Sequence, residues 1–115
     1  LRRDTSFYLL GWTPSTTDSH DALYNLMATP TEKGQGQYNL GGYSNPKLDE
    51  LTQKIQIETD QAKRNEMIRE AFRIHQDEFG HIPLHQQALA WGFNKKVSLV
   101  QLPTNYMFFK WVVVK

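Results

Sequence analysis

The chain has 115 residues, of which 13 are basic and 12 acidic, so its formal charge at pH 7 is +1. Because the charges nearly balance, we expect no chain-wide attraction to nucleic acid or to an anionic membrane. The absence of cysteine excludes disulfides and thiolate metal sites. No apolar run approaches the about 20 residues that a membrane-spanning helix needs.

A chain of this length is expected to form one domain, here residues 1–115, with a core of its own. The sequence begins at Leu1 without a methionine and enters an apolar run within a few residues. We therefore expect it to be the C-terminal part of a longer protein, with an exposed apolar face where the remainder packs.

The first predicted element is a strand over residues 5–11 (TSFYLLG), which is apolar on both faces and is followed by Trp12. Proline and hydroxyl residues then predict a loop. Thr17 or Asp18 is a suitable N-cap for an amphipathic helix that should end near Ala28.

Residues 29–43 are rich in glycine and polar side chains and lack a period, which predicts a surface loop. The clearest helix start follows, because Ser44 or Asn45 can cap and Pro46 suits the first turn. The predicted buried stripe of this helix consists of Leu48, Leu51 and Ile55.

A second, longer helix is predicted after Asp60 and should end at Gly80. Its predicted stripe consists of Ile68, Ala71, Phe72, His75 and Phe79. The short link between the two helices predicts an antiparallel pair packed against a sheet. Strands are predicted over residues 81–84, 87–93, 97–102 and 106–114. The expected fold class is α+β, or irregular α/β.

Carboxylate and imidazole side chains at Asp18, His20 and Asp21 leave a metal-dependent hydrolase open as an alternative function. Positions two and three apart on a helix do not all converge, however, and N-capping explains Asp18 without a metal. His20 and Asp21 are then expected on a solvated first turn. We assign no catalytic residue, no metal ligand and no cofactor.

The remaining histidines are weak candidates for chemistry. In a strand, His81 and His85 would lie on the same face but about 13 Å apart, which is too far to hold one ion. His75 falls on the apolar stripe of its helix, where a core histidine with one hydrogen bond is expected.

Trp12 lies where a strand ends ahead of a helix N-terminus, a position at which α/β folds bind ligands. Its indole suits stacking on a planar or extended ligand, and the N–H groups of the following turn can hold a carboxylate or carbonyl. The alternative is that Trp12 closes the core.

Four segments in order, with an aspartate-containing turn before a helix between the first two, resemble the C-terminal part of the family 5 extracellular solute-binding proteins, the peptide, dipeptide and nickel receptors of ABC importers. These segments are "FYLLGW", "N-L-GGYSNPKLDEL", "E-x-D-x-x-K-R" and "IPLHQQ". The resemblance runs from about Thr5 to the last strand. It implies part of lobe II of a two-lobed, type 2 periplasmic binding protein, with a helix pair on a mixed sheet. Residues from about 103 to 115 would form a strand returning toward the first lobe.

The resemblance also implies the function, which is binding of a peptide-like or other small solute between the lobes, without catalysis. The implied partners are this solute and the ABC permease subunits, with no nucleic acid and with a monomeric full-length protein. The implied location is the periplasm, or the cell exterior for a lipid-anchored protein. A structural interaction module is a further alternative.

The resemblance suggests four ligand-binding residues. Trp12 would stack on the solute, and Thr13 and Ser15 would offer hydrogen bonds. In the peptide receptors an aspartate three residues after the tryptophan meets the ligand's α-amino group, and Ser15 stands at that position here. Because serine cannot neutralise an ammonium group, Asp18 is the expected charge partner.

Overall fold

The structure is a computed structural model that describes residues 7–115. Its elements are α1 (His20–Ala22), continued by a π-helical turn (Leu23–Met27), α2 (Pro46–Ile57), α3 (Gln61–Asp77), β1 (Val97–Ser98), a 3-10 turn (Phe109–Trp111) and β2 (Val113–Val114). The two strands pair antiparallel, with Val97 opposite Val114 and Ser98 opposite Val113. The fold class is α+β, as the sequence predicts.

Helix α1 starts close to its predicted cap. The Oδ1 atom of Asp18 accepts a hydrogen bond from the backbone N–H of His20 at 2.9 Å. The helical segment ends at Met27, where the N–H of Ala28 bonds to the carbonyl of Leu23 at 2.9 Å. This five-residue spacing widens the last turn, as π-helical bonds do.

Helix α2 begins as predicted, because Asn45 is its N-cap. The Asn45 Oδ1 atom accepts hydrogen bonds from the backbone N–H groups of Lys47 and Leu48, at 2.9 and 3.1 Å. Pro46 occupies the first turn, where a missing N–H leaves no bond unmade. The predicted stripe is buried and comprises Leu48, Leu51 and Ile55.

Helix α3 is capped by Asp60, which accepts hydrogen bonds from the next helical N–H groups. The helix ends at Asp77, so its predicted end at Gly80 is wrong by a few residues. Phe79 lies beyond the helix with a φ of 53° and is exposed, so it does not belong to the buried stripe. Gly80 has a packing role, because a Cβ atom there would overlap the ring of His75.

The core lies where α2 and α3 pack together with the first helical segment. Its buried residues are Leu23, Leu51, Ile55 and Ala71, and the partly buried residues around them are Met27, Met67, Ile68, Phe72 and Ile74. The predicted helix pair is confirmed. Its predicted support by a mixed sheet is not found between residues 7 and 115, where the sheet has two strands of two residues each.

Residues 29–43 form no helix or strand, as predicted, but part of this loop is buried. Asn39 is 1% exposed and its Nδ2 donates to the carbonyls of Ala28 and Tyr43, at 3.0 and 2.7 Å. Its Oδ1 accepts from the N–H of Tyr43 at 3.1 Å. The Asn39 side chain therefore adds three hydrogen bonds to the backbone turns that hold this loop.

Most of the predicted strands do not form. Residues 5 and 6 lie outside the described part, and residues 7–11 have no regular structure. The same holds for residues 81–84 and 87–93, while β1 and β2 are the parts of the last two predicted strands that pair. An extended apolar run becomes a strand only where a neighbouring chain satisfies its N–H and C=O groups.

The unpaired segments leave many apolar side chains exposed, including Phe7, Leu9, Ile82, Leu84, Phe93, Phe109 and Val114. The Cα radius of gyration is 17.4 Å, compared with about 13 Å expected for a tightly packed domain of this length. Apolar side chains are therefore exposed on several segments of residues 7–115, and the single apolar face expected from the sequence stays a prediction.

Candidate functional site

The carboxylate of Asp21 organises the turn that follows Trp12. Its Oδ1 accepts the indole N–H of Trp12 at 3.0 Å, and its Oδ2 accepts the backbone N–H and the hydroxyl of Ser15, at 3.2 and 2.6 Å. Asp21 is only 9% exposed, so its predicted place on a solvated first turn is wrong. The segment before α1 folds back over the first turn of the helix and covers the side chain. We call residues 12–21 the Trp12–Asp21 turn.

Ser15 remains exposed although it is bound to Asp21. A hydroxyl has one proton, and the short bond to Oδ2 uses it. The lone pairs of Ser15 Oγ can still accept a further hydrogen bond. Ser15 can therefore only accept a hydrogen bond from another molecule while this arrangement holds.

Trp12 is half-buried and does not belong to the buried apolar cluster of the helices. Its ring centroid lies 5.0 Å from that of Tyr38, with the planes inclined by 57°. The hydrogen bond to Asp21 fixes one edge of the indole, and Tyr38 from the loop of residues 29–43 contacts the ring. Thr13 lies on the exposed stretch between Trp12 and Ser15.

Asp18 already has a cationic partner within the chain. Arg64 Nη2 donates to Asp18 Oδ2 at 2.8 Å, while Arg64 Nε donates to the carbonyl of Ile55 at 3.0 Å. The pKa of Asp18 is lowered from its usual value by the His20 backbone N–H and then by Arg64. The predicted role of Asp18 as charge partner of a ligand would require it to share or release Arg64.

The ring of His20 contacts α2 and Tyr24. Its Nε2 lies 3.1 Å from the carbonyl oxygen of Thr52, and its ring lies 5.8 Å from that of Tyr24. Across residues 7–115, no group of three or more His, Cys, Asp or Glu side chains is arranged to hold a metal ion. Asp18, His20 and Asp21 thus have separate partners in this structure.

Two open cavities lie beside the Trp12–Asp21 turn. One, of about 240 Å³, is lined by Pro14, Thr16, Thr17, Asp18, Ser19, Pro103 and Thr104. The other, of about 290 Å³, reaches the buried carboxylate and is lined by Thr16, Asp18, His20, Asp21, Tyr24, Asn25 and Gln56. Trp12 lines neither of these two cavities. The larger of these two cavities is lined by polar residues and opens next to the turn, not over the indole face.

A second polar cluster joins the end of α3 to the chain that follows. His75 is buried as predicted, and its Nε2 lies 2.8 Å from Nδ1 of His81. The ring centroids are 5.0 Å apart, so the two nitrogens lie close to the line between the rings. This geometry suits one shared hydrogen bond. Burial first, and then the charge of His81, lower the pKa of His75 to about 4.

Three members of these clusters were not expected from the sequence. The sequence predicts Asp21 on a solvated turn and His81 in a strand, and it indicates no role for Arg64. All three depend on contacts between segments that are apart in the chain, such as Arg64 with Asp18. The only local signal was the unusual density of hydroxyl and acidic residues after Trp12.

No protein-family profile, curated protein sequence or solved structure matches this chain. Among residues 7–115, no helix is both long and apolar enough to cross a membrane.

Proposed function

We propose that this chain is part of the solute-binding component of an ABC importer and belongs to lobe II of a two-lobed receptor. The solute is peptide-like or another small molecule, and the receptor works without catalysis in the periplasm or, lipid-anchored, outside the cell. The permease subunits are its partners. The observation that carries this proposal is the joint attachment of Trp12 and Ser15 to Asp21 at an exposed turn.

The turn supplies the two kinds of contact that a solute receptor needs. The anchored indole of Trp12 offers an apolar face for stacking, and Ser15 next to it offers a polar atom. The larger of the two cavities beside the turn would admit the solute, and closure of a second lobe would exclude water from it. Thr13, on the exposed stretch, would add a hydrogen bond.

The exposed apolar segments support the assignment to a larger receptor. Residues 82–93 and 106–114 carry Ile82, Leu84, Phe93, Phe109 and Val114 on the surface. In a two-lobed protein these segments would pair as strands with the rest of lobe II and return toward the first lobe. Burial of their side chains would then contribute about 25 cal/mol per Å² of apolar surface.

Isothermal titration calorimetry of the full-length protein with a defined mixture of tri- to pentapeptides tests the proposal. We expect binding by the wild type and at least tenfold weaker binding by Trp12→Ala. Trp91→Phe is the control, because Trp91 also donates its indole N–H, to Asn105 Oδ1 at 2.7 Å, and is not part of the Trp12–Asp21 turn. Equal affinity of Trp12→Ala and the wild type would remove Trp12 from the site.

The interaction module is a second candidate, and the same exposed apolar residues favour it. Sedimentation velocity of the full-length protein separates the two functions. Concentration-dependent self-association that no peptide alters would favour the module, while a monomer that binds peptide would favour the receptor. A tightly bound stoichiometric metal in elemental analysis would instead favour the hydrolase.

A further inference from the structure

The end of α3 holds a pair of imidazoles whose surroundings fix where each proton lies. His75 Nε2 lies 2.8 Å from His81 Nδ1, and a neutral imidazole has one N–H and one lone pair. His75 Nδ1 is buried and has no hydrogen-bond partner among residues 7–115. A proton on that nitrogen would be a buried N–H group without an acceptor, which is costly. His75 therefore carries its proton on Nε2 and donates it to His81 Nδ1.

Gly80 covers the edge of the His75 ring that carries Nδ1. A Cβ atom at Gly80 would lie 2.6 Å from this nitrogen, so the main chain packs directly against it. The Gly80 N–H also bonds to the carbonyl of His75 at 3.0 Å, and Phe79 turns the chain with a φ of 53°. The imidazole pair and this backbone bond thus hold the chain after α3 against the helix end.

The neutral pair has no place for a further proton. A proton added to His75 can go only to Nδ1, which Gly80 covers and which has no acceptor in the described part of the chain. A proton added to His81 goes to its Nδ1, which then accepts no hydrogen bond. His75 would have to move its own proton to Nδ1, with the same result. Each route to a protonated pair therefore breaks the hydrogen bond or leaves a buried N–H unpaired.

The titratable groups beside the pair do not change charge in mild acid. Tyr43 lies nearly perpendicular to His75, with ring centroids 4.5 Å apart, and donates its hydroxyl proton to Glu78 Oε2 at 2.7 Å. Asn45 Nδ2 donates to Glu78 Oε1 at 2.9 Å. The Tyr43 hydroxyl first, and then Asn45, lower the pKa of Glu78 from its usual value, so this carboxylate keeps its charge. Burial, and then Glu78, raise the pKa of Tyr43, so its hydroxyl keeps its proton.

The charges at the start of α2 are engaged elsewhere. Lys47 pairs with Glu70 on α3, and the carboxylate of Asp49 accepts hydrogen bonds from Thr29. The two histidines are therefore the groups of this cluster that titrate between neutral pH and pH 4.

We propose that the His75–His81 pair is an acid-sensitive latch, which holds residues 79–81 against the end of α3 and opens when the pair takes up a proton. The inference goes beyond the proposed function and does not rest on it, because every group involved lies within residues 43–81. Burial first, and then the charge of His81, lower the pKa of His75 to about 4, and burial lowers the pKa of His81. The open form has the ordinary pKa of 6.5 and binds the proton first, so opening becomes more favourable as the pH falls from 6.5 toward 4.

Native-state amide exchange of the full-length protein, measured at the Gly80 N–H, tests the latch. We expect the Gly80 protection factor, corrected for the intrinsic effect of pH, to fall by about tenfold or more between pH 7 and pH 4.5. Dilute urea should leave this exchange unchanged, because a local opening exposes little surface, but should accelerate exchange at the core residue Ile55. Constant Gly80 protection across this pH range would overturn the latch. Equal urea dependence at Gly80 and Ile55 at pH 4.5 would show global unfolding and overturn it as well.

The variant His81→Phe keeps an aromatic ring beside His75 but removes the hydrogen-bond acceptor. We expect its Gly80 protection at pH 7 to be about tenfold or more below that of the wild type and to depend less on pH, while Ile55 stays protected. His85→Phe is the matched control, because His85 is exposed in the same segment, and it should behave as the wild type does. Full Gly80 protection in His81→Phe, or the same loss in His85→Phe, would contradict the latch.

A measurement without any substitution checks the proton positions. In ¹⁵N spectra of the wild type at pH 7, both His75 and His81 should be protonated on Nε2, with a ¹⁵N–¹⁵N coupling across their hydrogen bond that disappears below pH 4. A proton on His75 Nδ1 at pH 7 would rule the latch out. Failure of the protein to bind any peptide would overturn the proposed function and leave these results in place.

Discussion

Arg64 on α3 and Asp18 before α1 form a salt bridge with an Nη2 to Oδ2 distance of 2.8 Å, across 46 residues of sequence. The Arg64 side chain is 18% exposed and that of Asp18 is 44% exposed. Because Arg64 Nε also bonds to the carbonyl at the end of α2, one side chain connects the Trp12–Asp21 turn to both long helices.

Replacing Arg64 by Met should raise the pKa of Asp18 toward its usual value and lower the free energy of unfolding by about 1 kcal/mol. Asp18 has a lowered pKa in the folded protein, so its stabilising effect is present above the usual carboxyl pKa and is lost as the pH falls. NMR titration of the Asp18 carboxyl measures its pKa, and urea unfolding measures the free energy of unfolding. Lys63→Met, on the exposed side of the same helix, is the control, and an unchanged Asp18 pKa in Arg64→Met would contradict the prediction.

Buried His75 should make the protein less stable in acid. Its pKa is lowered from 6.5 to about 4 in the folded protein, mainly by burial, so the unfolded chain binds a proton first as the pH falls. Stability is therefore full above pH 6.5 and decreases down to about pH 4, by about 3 kcal/mol from this group. Urea unfolding at several pH values measures the slope.

The variant His75→Gln removes the titrating imidazole, so the free energy of unfolding should depend less on pH between 4 and 6.5. His85→Gln is the matched control, because His85 is exposed and lies in the segment after α3. Equal slopes for the wild type and His75→Gln would mean that His75 is protonated as easily in the folded chain as in the unfolded one.

Gly36 should tolerate no side chain. It has a φ of 63°, and a Cβ atom there would overlap the backbone of Ala28 and Pro30. Gly34 also has a positive φ, of 94°, but open space surrounds it. We expect Gly36→Ala to cost about 3 kcal/mol and Gly34→Ala about 1 kcal/mol in unfolding free energy, because only the first adds a clash to the backbone strain. If both variants lose the same unfolding free energy in thermal or urea unfolding, the structure relieves the clash at Gly36.

Removing the Asn39 side chain should loosen the loop of residues 29–43. Asn39→Ala leaves the carbonyls of Ala28 and Tyr43 and one N–H without these partners, so we expect a loss of about 2–3 kcal/mol. Faster amide exchange at Tyr43 should accompany the lower stability. Asn65→Ala is the control, since the exposed Asn65 side chain accepts a hydrogen bond from Gln61 in the same helix. Unchanged exchange at Tyr43 would be evidence against a structural role of Asn39.

Local signals in the sequence predicted the helices well. The Asn45-Pro46 start of α2 and the stripe that includes Leu51 and Ile55 depend on side chains within a few turns of each other. Such short-range preferences act in the same way in many folds. Strands were predicted poorly, because residues 87–93 have the composition of a strand but find no partner for their backbone groups in this structure.

The sequence by itself determined the α+β class, the two long helices and the position of a polar turn after Trp12. Tertiary structure alone decided that Asp21 is buried and holds Trp12 and Ser15, that Arg64 pairs with Asp18, and that His75 meets His81. The physical reason is the range of the interactions. Caps and helical stripes depend on neighbours along the chain, whereas the burial of a carboxylate or an imidazole depends on which distant segment folds over it.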